Sequence, residues 1–444
     1  MTRHHTSGGT MPSTPSTPST PSTSEAHPTT RSPLRGVTVA DLDLNGVREH
    51  EPVLSLTPAP GGPPLRAGGP VYALVRLRGR PVATVLTTVP AGADTAHALA
   101  TAFRAQCTAH QPPTSIGGAT PPRTTVVVAT RERADLLGRA LDSLLAQDHP
   151  DFRVVVVDNA PRTPATRDLI AAHYAHSVTY LHEPVPGLAT AHNRGVAATD
   201  SPVVAFTDDD AVADPRWLSA LTAPFAADPR TGCVTGLILP ARLTTPAQVL
   251  LESHGGFAKG FAPRLYDPAA PPADQPLFPF TAGSFGSGAN MAFRVSALRA
   301  VGGFDPATGT GTPARGGDDL YAFVRILTAG HRLRYTPDAL VWHHHRETWQ
   351  DLRNQAYGYG AGLTAYLTAV LCRHPALLPA LLARLPRGLA HARAITAHRE
   401  TSAAGVPGAH GTYEHPWPRT LSRLERRGML YGPVGYARAR WGIR

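Results

Sequence analysis

Cysteine is scarce. Cys107, Cys233 and Cys372 are the only three in 444 residues, and they lie too far apart to form a CxxC pair. A disulfide framework and a structural zinc site are therefore excluded, and a reducing compartment is expected. Long apolar runs are missing too. The best stretch, residues 361–385, is broken by Arg373, His374, Pro375 and Pro379, so it falls short of the roughly 18 apolar residues of a membrane span. No apolar segment follows Arg3, His4 and His5, so no secretory signal is expected. The expected location is the cytoplasm, with docking on the inner face of the membrane as an added option.

Charged residues make up only 17% of the chain, while 45 prolines and 41 glycines punctuate a composition that is 42% hydrophobic. That profile is globular with one disordered stretch, and the length suits about three structural units. Lys and Arg number 42 against 32 Asp and Glu, a balance of +10, which by itself does not separate a nucleic acid from an anionic lipid or a phosphorylated small molecule. Residues 12–23 repeat Pro-Ser-Thr, and the tail over 1–35 has nothing apolar to bury, so disorder is expected there.

Residues 36–110 read as a small accessory β/α module. Val71 to Arg78 and Val82 to Leu86 flank a Gly79-Arg80-Pro81 turn, the pattern of a hairpin, and a helix follows over 94–105. A Pro/Gly/Thr-rich linker covers 111–122. From Thr124 the texture changes to strand and helix in alternation. Apolar runs at 125–130, 152–157, 178–181 and 203–207 alternate with helical spacing over 134–147, 165–174 and 188–198. Uninterrupted valine runs between helices predict parallel strands covered on both faces. Ligands in such sheets bind beyond the carboxyl ends of the strands, where Thr130-Arg131, Asp158-Asn159 and Asp208-Asp209-Asp210 stand here.

Three consecutive carboxylates repel one another unless a cation compensates, and a hard divalent ion with oxygen ligands would do so. The plain alternative is an acidic cluster at the start of the helix expected at 215–221. Alternation along an extended run places Asp208 and Asp210 on one face, with Asp209 the less certain member.

In this order the landmarks resemble those of a family 2 glycosyltransferase. Besides the strand ends, they comprise Gly187-Leu188-Ala189-Thr190-Ala191-His192-Asn193-Arg194-Gly195, Gly286-Ser287-Gly288-Ala289-Asn290-Met291, Gly302-Gly303-Phe304-Asp305 and Gly316-Gly317-Asp318-Asp319. The resemblance spans 123–346 and implies an α/β GT-A (nucleotide-diphospho-sugar transferase) fold with a Rossmann-like mixed sheet over 123–350. A helical, basic region over 351–444 follows it.

The resemblance further implies an inverting, hexosyltransferase-type enzyme that takes a nucleotide-diphosphate-sugar donor and a hydroxyl acceptor, with Mg²⁺ or Mn²⁺ as cofactor and no nucleic acid as partner. It carries nucleotide-sugar contacts onto Thr130, Arg131, Asp158, Asp208, Asp209 and Asp318, with Asn290 as a sugar contact. It places the metal on Asp210 with His343 and His345 of the His343-His344-His345-Arg346 run, and the catalytic base on Asp319. Asp318 stands where the family usually has Glu, and His192 where it usually has Arg. Asp318 and Asp319 also suit a helix start, and both roles are compatible. Two other classes compete. A nucleotidyltransferase would need glycine after the first strand, which Thr130-Arg131-Glu132-Arg133 lacks, and a non-catalytic sugar-nucleotide-binding protein would have no use for a base.

The C-terminal region is aromatic and basic, with Tyr357, Tyr359 and Tyr366 followed by Arg373, Arg384, Arg387, Arg393 and Arg399. That composition suits either an interfacial helix on an anionic membrane, with a lipid-linked or polysaccharide-precursor acceptor, or simple packing on the catalytic domain.

Overall fold

Four strands open the fold. β1 (Thr38–Arg48), β2 (Glu51–Pro58), β3 (Gly69–Leu77) and β4 (Arg80–Val89) pair in the order β2-β1-β3-β4, and α1 (Thr95–Gln106) starts at Asp94, whose side chain accepts from the His97 amide. The computed structural model describes residues 36–48, 51–107, 120–401 and 417–442. The tail expected over 1–35 and most of the linker expected over 111–122 lie outside the described residues.

Strand alternation gives this sheet two apolar faces. Val71, Ala73 and Val75 of β3 pack with Leu99, Ala100 and Phe103 of α1, while Tyr72 and Leu74 turn the other way and share a core with Leu237, Leu239, Leu340 and Trp342 of the following domain. Ion pairs rim the joint: Arg76 bridges Asp41 and Asp214 at 2.8 and 2.7 Å, and Arg80 pairs with Asp338.

The following domain runs β5 (Thr124–Thr130), α2 (Ala134–Leu145), β6 (Phe152–Asn159), α3 (Ala165–His173), β7 (Val178–Glu183), α4 (Leu188–Ala198), β8 (Val203–Asp208), β9 (Ala211–Ala213) and α5 (Trp217–Ala227). It continues with β10 (Thr231–Pro240), α6 (Pro246–Gly255), β11 (Arg264–Tyr266), β12 (Asn290–Arg294), α7 (Val295–Ala300), α8 (Asp318–Thr328) and β13 (Arg332–His343). These strands form one sheet in the order β11-β13-β10-β12-β8-β5-β6-β7, with β9 paired on β13. The β8-β5-β6-β7 half is parallel, and β12 runs antiparallel between β10 and β8. The result is a mixed α/β sheet, as expected from the sequence.

One expected boundary moves. The sequence reads as a strand over 333–336 ended by a Pro337-Asp338-Ala339 turn, yet β13 runs on to His343 and absorbs the three residues as a bulge between the Gly236/Thr336 and Leu237/Leu340 pairs. Proline has no N–H for the ladder, so the chain steps around it and resumes. The carbonyls of Leu237 and Ala339 beside the bulge instead accept from the Asn290 side chain, at 2.9 and 2.8 Å.

The helical C-terminal region comprises α9 (Trp349–Arg373), α10 (Leu378–Thr401) and α11 (Arg419–Trp441). Helices α9 and α11 meet backbone to backbone. A Cβ at Gly428 would lie 2.1 Å from the Tyr357 carbonyl oxygen, so only glycine fits. Gly317, at φ +87° immediately before α8, would drive a Cβ to 2.5 Å from the Gly362 carbonyl oxygen, so α9 fixes where α8 begins. Among the described residues no single helix is long and apolar enough to cross a membrane.

Candidate active site

Strand register assembles the site. Thr130 on β5 pairs with Asp158 on β6, and Ala129 pairs with Asp208 on β8, so three strand ends meet at one edge. The chain then turns back as β9, where Ala211 pairs with His343 at the end of β13, and the His344 amide donates to the Asp210 carbonyl at 2.9 Å. This pairing brings His343 onto the aspartate triplet from a position far along the chain. Because β9 stands between the triplet and α5, the triplet does not cap that helix.

Asp208, Asp210 and His343 present ligand atoms within 4.8 Å of one another, a group that could hold a metal ion. The donor set, two carboxylates and an imidazole, suits Mn²⁺ or Mg²⁺. Asp210 Oδ1 is buried, lies 3.2 Å from His343 Nε2 and makes no hydrogen bond, which fits an atom kept for a cation. The residues present therefore fit the metal that the family resemblance implies.

The triplet splits by direction in the turn that follows Asp208 at the end of β8. Asp209 turns into the fold, where Thr130 Oγ1 donates to it at 2.7 Å and Arg133 at 3.0 Å. Arg133 also reaches Asp210 Oδ2 at 2.9 Å, and Arg346 lies 3.6 Å from the same atom. Burial, then Asp210, raises the Asp208 carboxyl to about 6. Burial also opposes the charge on Asp210, but His343, Arg133 and Arg346 together hold it well below the usual carboxylate range. His343 is raised by Asp210 and Asp208 against the lowering effect of its own burial.

Several expected contacts are redirected. His345 does not join the metal group. Its ring is 2% exposed, with Nδ1 3.0 Å from His343 Nδ1 and Nε2 3.0 Å from Glu252 Oε2, so it stands behind His343 rather than beside it. Asn290 is fully buried, accepts from Trp217 Nε1 and patches the β13 bulge, so the expected sugar contact is corrected to a strut between strands. Thr130 Oγ1 is spent on Asp209 Oδ2, and Asp209 Oδ1 on Arg133.

Asp158, 1% exposed, accepts from Tyr180 through Oδ2 and keeps Oδ1 without a partner. Arg131 is half-buried just past the end of β5. Asp318 is 4% exposed, with Oδ2 3.5 Å from His192 Nδ1, and His192 is wedged between Phe206 and Phe304. Asn193 bonds the Phe304 amide and carbonyl at 2.8 Å each, tying α4 to the Gly302-Gly303-Phe304-Asp305 landmark.

Asp319 is half-buried in the first turn of α8. Its carboxylate accepts from the Gly288 and Leu320 amides, both at 2.8 Å. Burial, then Asp318, raises it to about 7 against those two donors, and it feels the charge of Asp208. A carboxylate tuned to neutral pH at the rim of a strand-end site has the properties of a general base.

Sequence reasoning missed Arg133 and Glu252. The family resemblance points to Arg131 after β5, but Glu132 sits at φ +56° and it is Arg133 that the chain turns onto the aspartates. Glu252 lies on α6 and gives no local signal.

Residues 125–302 match glycosyl transferase family 2. Over 254 residues the chain is 32% identical to the pre-mycofactocin glycosyltransferase of Mycobacterium tuberculosis (strain ATCC 25618 / H37Rv), an alignment that takes in 56% of this chain and 48% of that protein. The chain thus spans about half the length of that relative. It is 24% identical over 236 residues to the glucosyl-dolichyl phosphate glucuronosyltransferase of Haloferax volcanii, covering 50% of this chain and 69% of that one. A solved mannosyltransferase from Pyrobaculum calidifontis, in complex with GDP-Man and Mn²⁺, superposes with a TM-score of 0.45 at 22% identity, over 76% of this chain and 91% of that one. The family match falls on the same strands whose ends gather the carboxylates, so residues 125–302 of this chain are similar to glycosyl transferase family 2.

Proposed function

We propose that the protein is an inverting, metal-dependent glycosyltransferase that moves a sugar from a nucleotide-diphosphate donor to a hydroxyl acceptor. The observation that carries this reading is the pairing of two acidic centres. Asp208, Asp210 and His343 make a cation-ready group, and Asp319 is a separate carboxylate raised to about 7. Bound Mn²⁺ or Mg²⁺, held by those three residues, would supply positive charge to the departing diphosphate.

The chain's own residues do the rest. Asp158, with Oδ1 unpartnered at the end of β6, accepts from the nucleoside base, and Arg131 lies against the nucleotide. Asp319 takes the acceptor's hydroxyl proton as that oxygen attacks the anomeric carbon on the side opposite the diphosphate. The bond from the anomeric carbon to the diphosphate oxygen breaks with its electron pair on the diphosphate, and the configuration inverts. Arg133 and Asp209 brace Asp210, while Asp318 and His192 hold the start of α8.

The test is a panel of UDP-, GDP- and dTDP-sugars with Mn²⁺ or Mg²⁺. Nucleotide diphosphate should be released from at least one donor, and chelation should stop it. No release from any donor, with a range of hydroxyl acceptors supplied, refutes the reading.

We further propose that α11 rests on an anionic membrane surface on the cytoplasmic side and that the acceptor is lipid-linked. Leu430, Val434 and Trp441 are 81, 52 and 62% exposed, and their spacing of four and seven puts them on one helical face with Arg423, Arg427 and Arg438. The Haloferax relative, named for a glucosyl-dolichyl phosphate, supports the lipid-linked class. The protein should float with phosphatidylglycerol vesicles at low salt and not with phosphatidylcholine ones, and Leu430→Glu with Trp441→Glu should abolish flotation. A wild-type protein that stays at the bottom with both vesicles removes this part.

A further inference from the structure

The N-terminal sheet reaches the metal group through a file of four side chains. Tyr72 on β3 donates from its hydroxyl to Glu252 Oε1 at 3.4 Å. Glu252 Oε2 meets His345 Nε2 at 3.0 Å, His345 Nδ1 meets His343 Nδ1 at 3.0 Å, and His343 Nε2 faces Asp210 Oδ1 at 3.2 Å. All of these residues are buried: Tyr72 is 0% exposed, Glu252 1%, His345 2% and His343 7%.

The file has a direction. An ionised carboxylate only accepts, so the proton of a neutral His345 must sit on Nε2, which leaves its Nδ1 as an acceptor. A neutral His343 then donates from Nδ1 and keeps its Nε2 lone pair facing Asp208 and Asp210. A lone pair at that nitrogen is what a metal requires.

The surroundings hold the file in place. Gln248 of α6 donates to the His345 carbonyl at 3.0 Å, one turn from Glu252 on the same helix. Phe257 packs against both rings at centroid distances of 5.2 and 5.5 Å. A Cβ at Gly256 would come within 2.5 Å of Glu252 Oε2, so only glycine at that position leaves the carboxylate its place.

We propose that Glu252, steadied by Tyr72 of the N-terminal sheet, is a positioning residue that sets the His343 ring for divalent-metal binding. The proposal rests on the metal reading above, and it makes the N-terminal sheet an outer support of the active centre. Glu252 is outside the metal-ligating group, so it acts only through His345 and His343.

The test measures Mn²⁺ affinity of the full chain, without donor, from the free-Mn²⁺ signal in electron paramagnetic resonance. Wild type should bind Mn²⁺ at a site that Asp210→Asn removes; if it does not, the metal reading itself fails and takes this proposal with it. Glu252→Gln keeps the size but replaces the obligate acceptor, and should weaken Mn²⁺ binding about 10- to 100-fold. Tyr72→Phe, which keeps the packing, should weaken it a few-fold. Thr245→Ala removes the Thr245 cap of α6 and should lower the melting temperature without changing Mn²⁺ affinity. Affinity within twofold of wild type in folded Glu252→Gln overturns the proposal. Where that variant does not fold, unchanged affinity in Tyr72→Phe overturns it. A loss in Thr245→Ala as large as in Glu252→Gln also overturns it, because the effect would then be structural.

Discussion

Asp319→Asn should lower kcat by about 10³-fold, within the range that general-base catalysis supplies, while donor and Mn²⁺ binding stay within a few-fold of wild type. The substitution changes the proton affinity of the side chain and little else about its shape. It leaves the Asp208, Asp210 and His343 group untouched. Of the two amides that the carboxylate accepts, from Gly288 and Leu320, asparagine can satisfy one, so a small loss of stability accompanies the large loss of rate. The pH profile makes the assignment sharper. A base works only when unprotonated, and Asp319 is raised to about 7, so wild-type kcat/KM should climb with pH through that region. At one unit below the midpoint it should stand at roughly one tenth of its plateau. The residual activity of Asp319→Asn should lack this limb. A variant that keeps more than a tenth of wild-type kcat, or a wild-type profile flat from pH 5.5 to 9, would remove Asp319 as the base.

The parts of this site that could be read in the sequence are those whose signal is local. Valine runs announce buried strands, and polar residues at their ends mark the edge where a ligand sits, so Asp158 and the aspartate triplet were found. Asp208 and Asp210 share the cation-ready group without Asp209, but the turn that holds Asp209 and Asp210 just past β8 sets this, not strand alternation. Alternation placed His343 and His345 on one side of β13, and their rings do touch. What alternation cannot say is how deep each ring lies, so it could not tell a metal neighbour from the residue behind it.

One local rule fails for an identifiable reason. Pro337 reads as a strand end, yet the bulge lets β13 continue because Asn290 supplies the missing hydrogen bonds from another strand. Arg133 carries no such local signal, because it reaches the aspartates only through the left-handed backbone at Glu132. The remaining omissions are contacts between residues far apart in the chain. Arg76 with Asp214, Arg80 with Asp338, and Tyr72 with Glu252 are separated by 138, 258 and 180 positions. Hydrophobic periodicity carries no information on such pairs. The small β module therefore reads as an accessory, although one apolar face of its sheet lies in a core shared with the central sheet.

Asp208→Asn and Asp210→Asn should both abolish the stabilisation by Mn²⁺, yet shift the melting temperature of the metal-free protein in opposite directions. Asp208 is ionised against its surroundings, since burial and then Asp210 raise it to about 6. An unfolded aspartate titrates near 3.9. A carboxyl whose folded value is the higher of the two favours the fold when protonated. That contribution is present below about pH 4 and is lost as pH rises to about 6. At pH 8 the neutral asparagine should therefore raise the metal-free melting temperature by about 2–4 °C, roughly the shift that one kcal/mol produces in a large domain. The gain should shrink towards zero at pH 4.

Asp210 is the reverse case. His343, Arg133 and Arg346 hold it ionised despite its burial, so its contribution is present above the unfolded value and is lost only in strong acid. Removing its charge leaves Arg133 and His343 with one partner fewer in a buried setting, a loss of about 3–5 kcal/mol for pairs of this kind. Metal-free Asp210→Asn should accordingly melt well below wild type at pH 8. Wild type should gain stability with Mn²⁺, by about 2.7 kcal/mol at a hundredfold excess over Kd, and neither variant should. The crossed outcome is what distinguishes a metal site from an ordinary acidic cluster. In a cluster neutralised by protein cations alone, both substitutions destabilise. In a site holding one carboxylate in reserve for an ion, removal of Asp208 stabilises the empty form and abolishes the loaded one. Scanning calorimetry of the three proteins, with and without Mn²⁺, decides between them. Equal destabilisation by the two variants, or a Mn²⁺ shift surviving in Asp210→Asn, would show that these carboxylates do not hold the ion.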